Sequence, residues 1–227
     1  MSRWTSFKAI FKAAPMKAPT GVVSLEASRF AGAGGDFPRI NPDSLAGRQG
    51  LGIYAQMRVD EQVKAVTTFV RDSILSRGWV YEYDKDSPLA ETERDARKHI
   101  VEQIINRIPG SFIDTLNVIS TGREFGFSLT EKVYELVEID GKQWQGLRAL
   151  YGRDPTTFQF YTDPYGELQR CEQNVAAQRV QIDLAKFIHY VHNPEFDRFF
   201  GRSDLREAHR SWYLKGELLK YWSLGLE

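Results

Sequence analysis

The stretch FSLTEKVYELVEIDGKQW, residues Phe127–Trp144, decides how the middle of this chain folds. Apolar and polar residues alternate on both sides of Asp140-Gly141, and a period of two is typical of a half-buried strand. An Asp-Gly pair favours a tight two-residue turn, because both residues tolerate a positive φ angle. We therefore predict a β-hairpin with its turn at Asp140 and Gly141.

The residues after this hairpin continue the strand pattern. We predict a strand over Thr157–Tyr161, a turn from Asp163 to Gly166, a returning strand that ends in a turn over Asn174–Gln178, and one more strand over 183–193. Together these segments predict a β-rich unit over about residues 127–193.

Helical patterns precede and follow the β-rich unit. Asp60 is a suitable N-cap for a helix that ends at Gly78, and its helically spaced residues are Val63, Val66, Thr67, Val70 and Ile74. The alternation in WVYEY, Trp79–Tyr83, predicts a short strand. Two further helices are predicted over Thr92–Ile108 and Ser111–Thr121.

The last helix is rich in Arg, Lys, Trp and Tyr. It lies within the segment from Pro194 to Trp222, and Ser203 is a suitable N-cap for it. His209 lies on this helix beside Arg206 and Arg210, and we interpret it as a structural or channel residue, not a catalytic base.

The N-terminal segment has a different composition. Residues 13–52 are rich in Pro, Gly, Ala and Ser, which predicts an extended arm that wraps around something instead of forming a core. Before it, Lys8 and Lys12 stand between four helically spaced apolar residues, Trp4, Phe7, Ile10 and Phe11. This pattern permits either a loosely ordered arm or a basic amphipathic helix that lies on a membrane or docks on a partner.

The composition excludes several classes of protein. The 227 residues carry 30 basic and 30 acidic side chains, so capture of nucleic acid by overall charge is not supported. A single cysteine, Cys171, excludes an internal disulfide framework and a four-cysteine zinc site, and favours a reducing compartment. No apolar run reaches the roughly 20 residues that span a bilayer.

The sequence presents no catalytic constellation. His189 and His192 are three residues apart and point to opposite faces of a strand, so joint metal ligation is not expected. Cys171 has no histidine or cation beside it that would mark a nucleophile. The carboxylates of Asp84, Asp86, Glu93 and Asp95 form a polar cluster that we interpret as a solvated loop. We therefore predict no catalytic, cofactor-binding or metal-binding residues.

Four stretches, in order over about residues 58–222, resemble the Mu-like family of bacteriophage portal proteins. They are VDEQVKAVTTFVRDSILSRGWVYE, GFSLTEKVYEL, LYGRDPTTFQFYTDPYGEL and KFIHYVHNPEFDRFFGRSDLREAHRSWYLKGELLKYW. Each is modest alone, and their number and order make the resemblance specific.

The resemblance implies an α+β, portal-type fold, in which a helical wing and stem carry a small β-rich clip inserted between two stem helices. The family implies a dodecameric ring at one capsid vertex, with double-stranded DNA passing through its channel without sequence-specific contacts. Its implied partners are terminase, the major capsid protein and the neck or tail adaptor. The implied location is the virion, after assembly in the cytoplasm of the bacterial host. No enzymatic activity, cofactor or membrane is implied.

On this template the chain divides into five segments. They are the extended arm (1–52), the wing segment (53–95), the first stem helix region (96–126), the clip (127–199) and the second stem helix (200–227). Portal proteins of the family continue beyond such a helix, so we expect this chain to be truncated relative to them.

The template also suggests roles for particular residues. The candidate channel or stem cations of the last helix are Arg206, Arg210, Lys215 and Lys220. These cations could face DNA, a carboxylate of a neighbouring subunit or solvent, with Asp204, Glu207 and Glu217 as partners in the last case. Leu205, Trp212, Leu218 and Leu219 form its predicted apolar side, and Trp212 and Trp222 are candidates for subunit interfaces. The candidate docking turns of the clip contain Asp140, Gly141, Asp163, Gly166 and Glu167.

Two other functions remain open at this point. A head–tail adaptor ring would lack a β-rich unit between two helices. A metal-dependent phage nuclease would need Asp, Glu or His ligands on neighbouring strand ends, and the sequence does not reveal such a set.

Overall fold

The computed structural model describes residues 37–39, 41–82, 84, 86–163, 166–176, 178–195 and 199–225. The amphipathic pattern from Trp4 to Phe11 lies outside the described residues, as does most of the arm.

Seven helices occur in the described part of the chain. They are α1 (Ser44–Gln49), α2 (Gly52–Met57), α3 (Glu61–Leu75), α4 (Glu91–Asn106), α5 (Phe112–Ser120), α6 (Gly122–Phe125) and α7 (Leu205–Leu224).

Seven strands occur there as well. They are β1 (Phe37–Pro38), β2 (Phe127–Ile139), β3 (Lys142–Arg153), β4 (Phe158–Thr162), β5 (Leu168–Val175), β6 (Gln178–Ile182) and β7 (Phe187–Val191). Short 3-10 turns at Pro155–Thr157 and Leu184–Lys186 lead into β4 and β7.

The strands form two antiparallel sheets. One has the order β1-β4-β5-β6, and the other has the order β3-β2-β7. The predicted hairpin is confirmed: Ile139 pairs with Lys142, and Asp140 and Gly141 both have positive φ angles, 51° and 72°. These angles are the ones that a tight hairpin turn demands.

An aromatic core joins the two sheets. Phe127 of β2 and Phe187 of β7 meet Phe158 and Phe160 of β4, with Cys171 of β5 in the same cluster. Burial raises the pKa of the Cys171 thiol to about 12, so this side chain behaves as a small apolar residue. The structural interpretation of Cys171 is confirmed.

The end of the arm is not extended as predicted. Instead, it folds into two short helices that help to build a second core cluster. This cluster contains Leu45 of α1, three residues of α2 (Ile53, Tyr54 and Met57), and Phe125 and Leu205. The prediction was wrong for residues 44–52 because six-residue helices carry little periodicity and take their stability from packing.

The packing of this segment also explains how α1 begins. Asp43 accepts a hydrogen bond from the Leu45 N–H at 2.9 Å, and its second oxygen accepts one from the Tyr54 hydroxyl. Burial and this contact with Asp43 raise the pKa of Tyr54. The hydroxyl therefore stays protonated and donates to the carboxylate.

The helical predictions before the hairpin are largely confirmed. Asp60 caps α3 through bonds from the Gln62 and Val63 N–H groups at 3.0 and 3.2 Å. Ser111 caps α5 in a reciprocal box with Asp114.

Two strand predictions need correction. Residues 79–82 form no strand. The rings of Trp79 and Tyr81 pack edge-on, at 4.5 Å between centroids, and Trp79 also packs on Phe112. The alternation in this segment therefore arises from the packing of its rings and not from pairing with another strand. The strand predicted over 183–193 begins only at Phe187, because Asp183 caps a 3-10 turn by accepting from the Ala185 N–H at 2.9 Å.

Helix α5 packs across β2 and β3, and α4 also contacts these strands, beneath the hairpin tip. Arg107 donates to the Glu138 carbonyl at 3.3 Å, and His99 Nε2 lies 3.7 Å from the Asp140 carboxylate. The helices of 91–125 and the hairpin therefore form one packed body.

The fold is α+β, with helices and two small antiparallel sheets as in a portal-type fold that carries a β-rich clip. Within the described ranges, none of the helices combines the length and apolar character needed to cross a bilayer.

Candidate functional site

Helix α7 is held at its first turn by a buried serine. Ser203 is 1% exposed, and its hydroxyl donates to the Glu124 carbonyl at 2.6 Å. The same oxygen accepts from the Leu205 N–H at 3.0 Å, which satisfies a donor at the open end of the helix. Ser203 is therefore the side chain that caps α7, as predicted, although Asp204 is the residue directly before the helix.

Asp204 connects the start of α7 to α6 and to the end of β7. Its carboxylate accepts two bonds from Arg123, at 2.6 and 3.0 Å, and its other oxygen lies 2.8 Å from His192 Nε2. The Tyr190 hydroxyl lies 3.1 Å from His192 Nδ1. Partial burial alone would raise the pKa of Asp204, but the hydrogen bonds from His192 and Arg123 outweigh it and lower this pKa.

Two glycines let three backbone segments cross at this point. A Cβ atom on Gly201 would lie 1.7 Å from the His192 carbonyl oxygen and 2.5 Å from that of Gly126. A Cβ atom on Gly126, whose φ is +88°, would lie 2.4 Å from the Gly201 oxygen. Only glycine fits where backbones approach this closely.

Backbone hydrogen bonds complete this crossing, which we call the anchor (residues 122–126, 190–192 and 201–205). The His192 N–H donates to the Gly126 carbonyl at 2.8 Å, and the Arg202 N–H donates to the His192 carbonyl at 2.9 Å. The stretches GFSLTEKVYEL and FFGRSDLREAHR, noted in the sequence, therefore meet at one point in space.

Sequence reasoning missed the anchor. It noted Ser203 as a cap, and it considered His192 only as a metal ligand together with His189, which it did not expect. The spacing of these residues carries no signal, because the contacts join positions about 80 residues apart, such as Arg123 and Asp204. The paired Gly-containing motifs were the only usable hint.

Two of the four candidate cations on α7 pair with carboxylates of the same chain. Arg206 Nε lies 3.1 Å from Asp43, and Lys215 Nζ lies 2.8 Å from Asp60. Both aspartates are N-caps, of α1 and α3 respectively. The hydrogen bond from Lys215, with backbone N–H groups at the start of α3, lowers the pKa of Asp60.

The other two cations, Arg210 and Lys220, are exposed and form no ion pair with any described residue. The partners expected for a solvated face are engaged differently, since Asp204 binds Arg123 and Glu207 binds Arg202.

The two candidate interface tryptophans differ in their surroundings. Trp212 is half-buried against the second core cluster, and the His209 ring lies 5.9 Å from it. Trp222 is 67% exposed, and Leu218 and Leu219 of the predicted apolar side are 68% and 52% exposed. The apolar side of α7 is therefore covered in its first half only.

The candidate docking turns are well formed where they are described. At the second turn, Asp163 and Glu167 exchange bonds: the Asp163 N–H donates to the Glu167 carbonyl, and the Glu167 N–H donates to the Asp163 carboxylate, both at 2.9 Å. Gly166 has a φ of +83°. In the third turn, Ala176 has a φ of +48°, and residue 177 lies outside the described residues.

The remaining histidine serves the core: His189 Nε2 lies 3.0 Å from the Phe199 carbonyl, and its ring stacks on Phe160. Across the described ranges, no three His, Cys, Asp or Glu side chains are grouped so that they could hold a metal ion.

One protein family, described as the portal protein of Mu bacteriophage, matches residues 51–227. No curated protein matches the chain. The family match covers well over half of the sequence, and the chain belongs to this family of phage portal proteins.

Proposed function

We propose that this member of the Mu portal family is the repeating subunit of a ring, a dodecamer, at one vertex of the capsid. Double-stranded DNA passes through the central channel during packaging and ejection. The observation that carries the proposal is the family match over residues 51–227. The anchor adds support, because residues of the resembling motifs build it.

Helix α7 has two kinds of cation in this proposal. Arg206 and Lys215 hold the helix against α1 and α3 through Asp43 and Asp60. Arg210 and Lys220 remain available for DNA phosphates or for a carboxylate of a neighbouring subunit. Contacts to phosphates without contacts to bases suit a channel in which DNA must slide.

Subunit contacts are proposed at Trp212 and Trp222. Large apolar surfaces that stay exposed on one chain usually mark interfaces, and Tyr221 and Trp222 are both about two-thirds exposed.

Docking of terminase, and later of neck or tail proteins, is proposed at the turns of the β-rich unit. These turns contain Asp140, Gly141, Asp163, Gly166 and Glu167. Loops on a rigid scaffold are where binding residues concentrate, and the two sheets supply that scaffold. The division into arm, wing, stem and clip stays a proposal with it.

The proposal places the protein in the virion, in contact with the major capsid protein, after assembly in the host cytoplasm. It requires no enzymatic activity from this chain. Incubation with duplex DNA, ATP and Mg²⁺ should give no turnover above a blank, and protein-dependent cleavage that survives repurification would argue for a nuclease.

Electron microscopy of the purified protein tests the ring directly. We expect closed rings with an open channel. Monodisperse particles without a channel, at concentrations where light scattering detects no larger species, would contradict the proposal for this chain.

Charge reversal tests the docking turns. Asp140→Lys and Glu167→Lys should weaken terminase binding in a pull-down and leave the ring yield unchanged, because rim charges tune association more than folding. Asp86→Lys, an exposed change away from these turns, is the matched control. Loss of rings with retained terminase binding would identify the turns as subunit contacts instead.

A further inference from the structure

A groove lies open between α3 and α7. Its walls are two apolar stripes, Val63, Val66 and Val70 on α3 and Leu205, Ala208 and Trp212 on α7, and it encloses about 550 Å³. Ser120 and Glu124 also line it, next to the anchor. Two facing stripes of this kind can receive an amphipathic helix.

The apolar stripe of helix α3 is not fully covered by the residues that the structure describes. It is fifteen residues long, and none of its residues is buried. Val66 is 62% exposed although it belongs to the apolar stripe. Helices in globular proteins normally bury such a stripe against another element, so an occupant of the groove is expected.

The sequence supplies a segment of matching shape. Trp4, Phe7, Ile10 and Phe11 have helical spacing and would form a single apolar stripe. A single stripe is what a groove with two apolar walls accepts.

The charges also agree. The first 25 residues carry four cations, Arg3, Lys8, Lys12 and Lys17, and no carboxylate. Exposed carboxylates stand near both ends of α3, since the side chains of Glu61 and Asp72 are 87% and 66% exposed, and each also lies within 4 Å of a cation that lines the groove, Lys215 and Arg71 respectively. Lysines beside the apolar stripe would meet them at the rim.

The connection is long enough. About 25 residues separate Phe11 from Phe37, where the described chain pairs with β4. Such a linker spans up to about 80 Å when extended, whereas a compact domain of this size is about 45 Å across. The described end of the arm also reaches α7, because Asp43 binds Arg206.

We propose that residues 4–12 of the same chain form a helix that docks in the groove between α3 and α7. The docked helix covers the valine stripe of α3 and the face of Trp212 that lines the groove, and it leaves the face of Trp212 beside Tyr213 and Gly216 for a subunit contact. This inference does not depend on ring assembly.

Disulfide trapping tests the proposal on the full chain. The only native thiol, Cys171, is buried and its pKa is raised to about 12, so it leaves the background silent. Under mild oxidation, the Phe7→Cys, Val66→Cys double variant should form a bond within one chain at least tenfold faster than Phe7→Cys, Val180→Cys. Val180 is a matched control, because it is 51% exposed on β6 and does not line the groove.

The products separate the possible occupants. A monomer of altered mobility, with the expected linked peptide in mass spectrometry, supports the proposal. Linked dimers would show that a second copy donates the segment, and equal rates in both variants would show that the groove is not its site. Either result would overturn the proposal.

Hydrogen exchange gives a second readout without new thiols. In the Phe7→Asp, Phe11→Asp variant, amides of α3 should lose protection by tenfold or more, while amides of β2 keep theirs. Val22→Asp, Val23→Asp, the same kind of change in the arm outside residues 4–12, should leave both regions unchanged. Unchanged protection of α3 in the aspartate variant would overturn the proposal. That result is also the one expected if the segment binds anionic vesicles and not the groove.

Discussion

The two halves of α7 have similar compositions, but they differ in how much of their apolar surface is buried. The first half, from Leu205 to Trp212, begins at the anchor and packs on the second core cluster. The second half, from Tyr213 to Leu224, exposes most of its apolar side chains. Both halves contain aromatic and basic residues, so composition alone does not separate them.

The difference teaches where the helix gains its stability. The first half combines close backbone contact at Gly201, a buried cap at Ser203 and the Arg123–Asp204 pair. The second half relies on its own backbone bonds and on Lys215. Changes in the first half should therefore reduce the stability of the single chain, whereas changes in the second half should affect association.

The largest effect is expected at the crossing of the backbones. Gly201→Ala places a Cβ atom 1.7 Å from the His192 oxygen, and the backbone must move. We expect a loss of about 3 kcal/mol in the free energy of unfolding, the upper part of the usual overpacking range. Urea unfolding followed by circular dichroism measures it.

Gly216→Ala is the matched control in the other half of the helix. Nothing lies within 4 Å of a Cβ atom there, so alanine should stabilise by roughly 0.5–1 kcal/mol through helix propensity. Equal losses at both glycines would contradict the contrast between the halves.

The two tryptophans should differ in what they stabilise: Trp212 contributes to folding as well as to the proposed subunit contact, and Trp222 contributes to assembly alone. Trp212→Ala should lower the free energy of unfolding by about 2 kcal/mol, less than the roughly 3–5 kcal/mol of a fully buried residue, because Trp212 is only half-buried. Trp222→Ala should change it by less than about 0.5 kcal/mol and still reduce the ring yield in light scattering. If the Trp222→Ala protein is stable and forms rings with the yield of the parent, Trp222 is not part of the subunit interface.

The cap should have a smaller effect. Ser203→Ala removes the bond to the Glu124 carbonyl and the bond from the Leu205 N–H, and we expect a loss of about 1–2 kcal/mol. Ser223→Ala, an exposed serine in the second half, should lie within about 0.5 kcal/mol of the parent. If the urea midpoints of Ser203→Ala and Ser223→Ala coincide, the cap is dispensable.

The smallest effect should appear in the pH dependence of stability. Because the pKa of Asp204 is lowered in the folded chain, its contribution is present above the unfolded value of about 3.9 and is lost as pH falls through the folded pKa. Asp204→Asn should therefore be less stable at pH 7, with a difference from the parent that shrinks below about pH 4.

Urea unfolding between pH 3 and 7 measures this difference, with Glu217→Gln as the control. Glu217 forms no ion pair with the described residues, so its curve should run parallel to that of the parent. A constant Asp204→Asn deficit at every pH would mean that the carboxylate acts through shape and not through charge.

Local signals in the sequence were sufficient for individual elements. Asp140-Gly141 predicted its hairpin because a tight turn needs two adjacent residues that accept positive φ. Asp60 and Ser111 predicted helix starts because a cap acts within three residues. The pattern of Trp79–Tyr83 led to a wrong strand prediction. Aromatic residues that alternate with other residues are found in paired strands, but here they alternate because the rings of Trp79 and Tyr81 pack on each other.

Only the tertiary structure decided which of these elements meet. The sequence determined an α+β chain with a β-rich unit between helices, and its motifs determined the portal family. Contacts between distant positions, such as Ser203 with Glu124, Arg206 with Asp43 and Lys215 with Asp60, leave no local pattern. The physical reason is that caps and turns are satisfied within a few residues, whereas a buried polar network or a close approach of glycines exists only after the backbone has brought remote segments together.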